Sequence, residues 1–75
     1  MTETEILQTI AFFLDLKEVH PDDAMGNVRG WDSLNHINLI LSLEEKFNIT
    51  IAPDKIGALT KASSIIEFCR TQGIL

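Results

Sequence analysis

Few side chains in this sequence could do chemistry. They are Ser33 with Asp32 before it, the histidines His20 and His36, and Cys69. A serine hydroxyl reacts as a nucleophile only when a neighbouring base takes its proton, and no base is arranged beside Ser33. His36 falls at helical spacing inside an apolar stripe, so its expected place is the edge of a core, hydrogen-bonded to loop backbone. His20 adjoins Pro21 in a loop and has no partner visible in the sequence. Cys69 is the sole cysteine, so no intramolecular disulfide can form, and its spacing makes it a core residue. The chain shows no metal-ligand cluster and no phosphate-binding glycine loop. Taken alone, Ser33 reads as a helix cap, a common use of serine.

The elements that position Ser33 must come from 75 residues, which fit one small domain spanning 1–75. With 45% hydrophobic residues a core is possible, but a chain this short has no room for a deep enclosed active site and its supporting shell. A module that serves enzymes is expected, rather than an enzyme, with no catalytic residue of its own. Six basic and eleven acidic side chains give a net charge of −5. Lys17, Arg29, Lys46, Lys55, Lys61 and Arg70 are scattered, which argues against nucleic acid. The acidic balance would steer the chain to basic patches on other proteins, or serve only to keep it in solution. No apolar run approaches the roughly 20 residues of a membrane span. The segment Met1–Glu5 is acidic where a signal peptide is basic, so the cytoplasm and a monomer are the expectations.

The organisation is helical. Thr2 and Glu5 fit a capping box opening the first helix. Ile6, Leu7, Ile10, Phe13 and Leu14 then form one core stripe; Phe12 falls off it and is expected under the following loop. From Lys17 to Trp31 the periodicity breaks, with Pro21, Gly26 and Gly30 as turn residues. Val19, Met25, Val28 and Trp31 should pin this long loop to the helices. The second helix is expected from Ser33 to Phe47, capped by Asp32 or Ser33. A short third helix should open at Pro53 and run to Ala58. The last, capped by Thr60, should cover Ala62 to Gln72 with Ala62, Ile65, Ile66 and Cys69 inward and Gly73 as its stop. The sum is an all-α bundle of three longer helices and one short one, with a long first loop.

The second helix carries two apolar stripes. With Leu34 set at 0°, Leu39, Leu43, Phe47 and Ile40 fall between about 140° and 240° and can face the core. Leu34, Ile37 and Leu41 fall between about 300° and 0°, with Glu44 and Glu45 on either side. This second stripe reads either as a docking face or as an apolar surface packed beneath the long loop.

Gly30-Trp31-Asp32-Ser33-Leu34 at the start of a helix ending Leu43-Glu44-Glu45-Lys46-Phe47, the Ile49–Ile51 segment and Thr60 before the last helix together resemble the acyl carrier protein family over nearly the whole chain. The resemblance implies that Ser33 accepts 4′-phosphopantetheine from coenzyme A, with Asp32 and Leu34 beside the attachment point. It implies that Asp32 helps orient the phosphopantetheinyl transferase complex through that enzyme's metal ion. The further partners implied are an acyl- or aminoacyl-loading ligase and downstream acyl-transfer or synthase enzymes, docking on Leu34, Ile37, Leu41, Glu44 and Glu45. Asn35 and Asn38 stand where fatty-acid carriers are commonly acidic. That departure favours a dedicated carrier in a specialised pathway: polyketide, modified sugar or lipid, or aminoacyl transfer. The alternatives are the housekeeping fatty-acid carrier and an unmodified helical interaction module.

Overall fold

Thr2 stands in extended backbone and its hydroxyl accepts from the Glu5 N–H, while the Glu5 carboxylate accepts from the Thr2 N–H at 3.1 Å. This reciprocal pair opens α1 (Glu3–Leu14). In the computed structural model, which describes residues 2–75, the chain continues as α2 (Ser33–Phe47), α3 (Pro53–Ile56) and α4 (Ala62–Thr71). The all-helical reading holds among the described residues; the one extended feature is a single β-bridge between Ala24 and Lys61. Met1, the first residue of the acidic segment read above, lies outside the described residues.

The core forms where the apolar stripes meet. α1 packs on both α2 and α4. It contributes Ile6, Ile10, Ala11 and Leu14; α2 contributes Leu39, Ile40 and Leu43; α4 contributes Ala62, Ile65, Ile66 and Cys69. Val19, Trp31, Ile51 and Leu59 close the core from the connecting segments. The long loop is thus anchored as its apolar residues suggested, Val19 and Trp31 fully and Met25 and Val28 in part. No helix among the described residues is long and apolar enough to cross a membrane.

Four expectations need correction. Phe12 is 87% exposed and does not lie under the loop. The loop is tied instead to the start of α4: Ala62 N–H donates to Asp23 O at 2.9 Å, Ser63 N–H to Pro21 O at 2.8 Å, and Met25 N–H to Thr60 O at 2.8 Å. These ties take the loop to α4 and leave the Phe12 side of α1 uncovered. They also explain why Thr60 is not the cap of α4. Lys61 holds the cap position without a side-chain bond, because loop carbonyls already answer the first two N–H groups of the helix. α3 ends at Ile56, two residues short of Ala58. Glu44, expected to flank the docking stripe, turns its carboxylate to the Ile51 N–H at 2.7 Å and is only partly exposed.

The placement of Ile10 and Phe12, two residues apart on α1, separates their energetics. Ile10→Ala should destabilise the fold by about 2–5 kcal/mol, while Phe12→Ala should stay within about 0.5 kcal/mol of the parent. Urea unfolding followed by circular dichroism reads both.

Candidate functional site

The approach to α2 is a tight turn. Gly26 N–H donates to Trp31 O at 2.9 Å and Trp31 N–H to Val28 O at 3.1 Å. Gly30 has φ +82°, a left-handed conformation that an L side chain adopts only under strain. Asp32 follows in extended backbone as the cap of α2, its Oδ1 accepting from Asn35 N–H at 2.8 Å. The Asn35 side chain closes the turn from the other side, its Nδ2 donating to Gly30 O at 2.7 Å.

Ser33 is therefore the first helical residue and not the cap. Its side chain is exposed, and capping is done by Asp32. As the first residues of the helix, Ser33 and Leu34 have no intrahelical carbonyl for their N–H groups. These groups and the helix dipole favour an anion at this end of α2. An open depression of about 390 Å³ adjoins the serine, its walls including Met25, Val28, Gly30 and Trp31. Another groove, about 530 Å³ between α1 and α2 and lined by Phe12, Phe13 and Ser42 among others, shares no residue with it.

Behind the turn lies a buried hydrogen-bond relay. Trp31 is 1% exposed and its Nε1–H donates to His36 Nδ1 at 3.0 Å. His36 Nε2 lies 2.8 Å from Ile56 O. With Nδ1 accepting, the ring proton sits on Nε2 and is donated to that carbonyl. His36 thus meets backbone as expected, but inside the core rather than at its edge, and joins the turn before Ser33 to the last residue of α3. The Trp31 partnership was missed; its only sequence signal was an indole N–H five residues before an inward histidine. Asn35 was missed as a structural residue too. His20 is exposed, with Nε2 3.7 Å from a Glu18 carboxylate oxygen.

Along α2, Leu34, Ile37 and Leu41 are 69%, 48% and 55% exposed. The loop does not cover them. Glu45 is exposed near the C-terminal end of the same helix. The expected site residues therefore divide: Asp32, Ser33 and Leu34 gather at the helix start, Ile37 and Leu41 continue the exposed stripe, and Glu44 is engaged in holding the Ile51 segment. Cys69 is buried on α4, and burial pushes its thiol above the ordinary range. It takes no part in this arrangement. No group of three or more potential metal ligands occurs among the described residues.

No family model matches the chain, but several known proteins resemble it. The acyl carrier protein of Sulfurovum sp. (strain NBC37-1) is 34% identical, the match covering 79% of this chain and 95% of that protein. The acyl carrier protein of Desulforapulum autotrophicum is 33% identical across 76% of this chain and 74% of its own length. That of Helicobacter pylori is 31% identical across 73% and 70%.

Two outcomes follow from this geometry. His36→Leu leaves the Trp31 N–H buried without a partner, at a cost of about 1–3 kcal/mol, while the Ile56 carbonyl keeps the Leu59 N–H; thermal melts and a shift in Trp31 emission should show it. Cys69 should resist iodoacetamide at about pH 8 in the folded protein and react fully in denaturant, as read by intact mass.

Proposed function

Because the chain belongs to the acyl carrier protein family, and so is a carrier and not an enzyme, we propose that it bears a 4′-phosphopantetheine arm on Ser33 and presents acyl or aminoacyl groups to enzymes docked along α2. The observation that carries this reading is the position of Ser33: exposed, first in the helix, and relieved of capping by Asp32. A serine that caps a helix has its oxygen engaged with the backbone; this one is left for an incoming phosphoryl group.

The residues present fit such a group. The N–H groups at the start of α2 suit a phosphate ester, and Met25, Val28 and Trp31 offer an apolar flank beside it. Asp32 spends Oδ1 on Asn35, so Oδ2 remains to help orient the phosphopantetheinyl transferase through its metal ion. When bound, the arm supplies a terminal thiol to which the carried group is joined as a thioester. Ser33 contributes the attachment oxygen and needs no base of its own, since the transferring enzyme activates it. The tightly held turn fixes where the tether begins, and a tether raises the local concentration of its cargo at a docked enzyme. Leu34, Ile37 and Leu41 supply the docking contacts, with Glu45 at the rim. The partners are a phosphopantetheinyl transferase, a loading ligase and downstream acyl-transfer or synthase enzymes. Asn35 and Asn38 on the outer helix favour a dedicated carrier of a specialised pathway over the housekeeping fatty-acid carrier.

Incubation with coenzyme A, Mg²⁺ and a broad-specificity phosphopantetheinyl transferase should add one phosphopantetheinyl group to the parent by intact mass. Ser33→Ala should fold with an unchanged circular dichroism spectrum and gain nothing. A folded parent that gains no mass with several transferases would leave an unmodified interaction module as the better reading.

A further inference from the structure

Phe12 is the most exposed large apolar side chain among the described residues, at 87%. The core does not use it, and a phenyl ring left in water is better suited to a contact between proteins, where aromatic side chains are enriched. The ring stands at the groove of about 530 Å³ between α1 and α2, next to the partly buried Phe13. From Glu5 to Phe12 the α1 wall of this groove runs about 10 Å, two helical turns. An open trough of that length with an aromatic wall fits side chains from one face of a helix.

The charges say which kind of helix. The groove walls hold two carboxylates, Glu5 and Glu45, and a single cation, Lys46. Both carboxylates are exposed. Glu45 forms no ion pair among the described residues, and Glu5 serves the Thr2 cap through Oε1, so its Oε2 still faces solvent. α1 carries Glu3 and Glu5 and no basic residue; Glu3 is already engaged by Arg70 at 3.4 Å. A second copy of this chain is a poor occupant. Each copy has a net charge of −5, and a two-fold contact through this face would set the acidic sides of two α1 helices against each other.

We propose that this groove seats a basic amphipathic helix of a partner protein, its apolar side on Phe12 and Phe13 and its cations beside Glu5 and Glu45. The groove shares no residue with the depression at Ser33, so the contact holds the chain by α1 and leaves the start of α2 uncovered. The inference does not depend on Ser33 being an attachment point.

The probe is a synthetic peptide of about 14 residues on an alanine background, with leucines along one face and lysines beside them. A twin carries glutamates in place of the lysines. Each is titrated into the ¹⁵N-labelled full chain at about 0.05 M NaCl, and amide shifts give the footprint and Kd. The lysine peptide should bind saturably, with shifts centred on α1 from Glu5 to Phe13 and on Ser42 to Lys46. Phe12→Ala, which leaves the core intact, should weaken it about tenfold. Glu5→Gln keeps the capping acceptor and should weaken it about two- to fivefold, an effect that fades at about 0.5 M NaCl. The glutamate twin should bind at least about tenfold more weakly. No saturable shift up to about 1 mM peptide would overturn the proposal. So would a footprint on Leu34, Ile37 and Leu41, equal affinity for the twin, or a Kd that Phe12→Ala leaves within twofold. Sedimentation of the parent as a dimer that Phe12→Ala dissolves would give the groove to a second copy and overturn it too.

Discussion

A tryptophan that must be buried while keeping its N–H satisfied sets the geometry of this molecule. Trp31 lies two residues before the exposed serine and fills the space between the long loop and the helices. An indole N–H in a core needs an acceptor, and His36 supplies one through Nδ1. That bond in turn commits Nε2 to the Ile56 carbonyl, so one side chain holds the loop, α2 and the end of α3 together. Without it, the turn at Gly30 would be held only by its backbone bonds and the Asn35 amide, across a flexible glycine. The rigidity of the turn before Ser33 is thus inherited from the core.

What was legible in the sequence was local. The capping box at Thr2, Pro53 at the first position of α3, the bounds of α2 and the inward stripe of α4 depend on residues within one or two turns of each other, and the 3.6-residue period reports them directly. What was not legible depends on partners far along the chain. Thr60 looked like a cap because its type and place suit one, yet carbonyls of Pro21 and Asp23 had already answered the N–H groups it would have served. Phe12 looked too apolar to leave in water, but the loop that could have covered it is held at α4. Glu44 looked like a surface carboxylate because nothing in its own helix showed that Ile51 would bring an unpaired N–H beside it. At the site, Ser33 and its neighbours were legible, whereas the division of labour between Asp32 and Ser33 was not: either could cap, and only the backbone decides which one stands outside the helix.

Net charge proved a blunt guide for the same reason. A figure for the whole chain suggests an acidic surface everywhere, and hence steering by carboxylates wherever a partner docks. The fold sorts the charges by element, so the acidic residues collect on α1 and the first loop while the exposed stripe of α2 stays apolar. The acidic residues of α1 and the loop can keep the protein dispersed.

The lack of an acidic residue in the first turn of α2 is itself tied to the turn before it. Asn35 donates its amide to the Gly30 carbonyl while its backbone N–H donates to Asp32. An aspartate at this position has no donor to offer. It would set a carboxylate against a carbonyl oxygen with the Asp32 carboxylate close by in the same turn, and both contacts are repulsive. The amide is therefore required to close the turn that presents Ser33, and the absence of a carboxylate at position 35 follows from that requirement. A carboxylate at position 35 could be placed on this helix only by giving up one of the bonds that hold the turn before Ser33 in place.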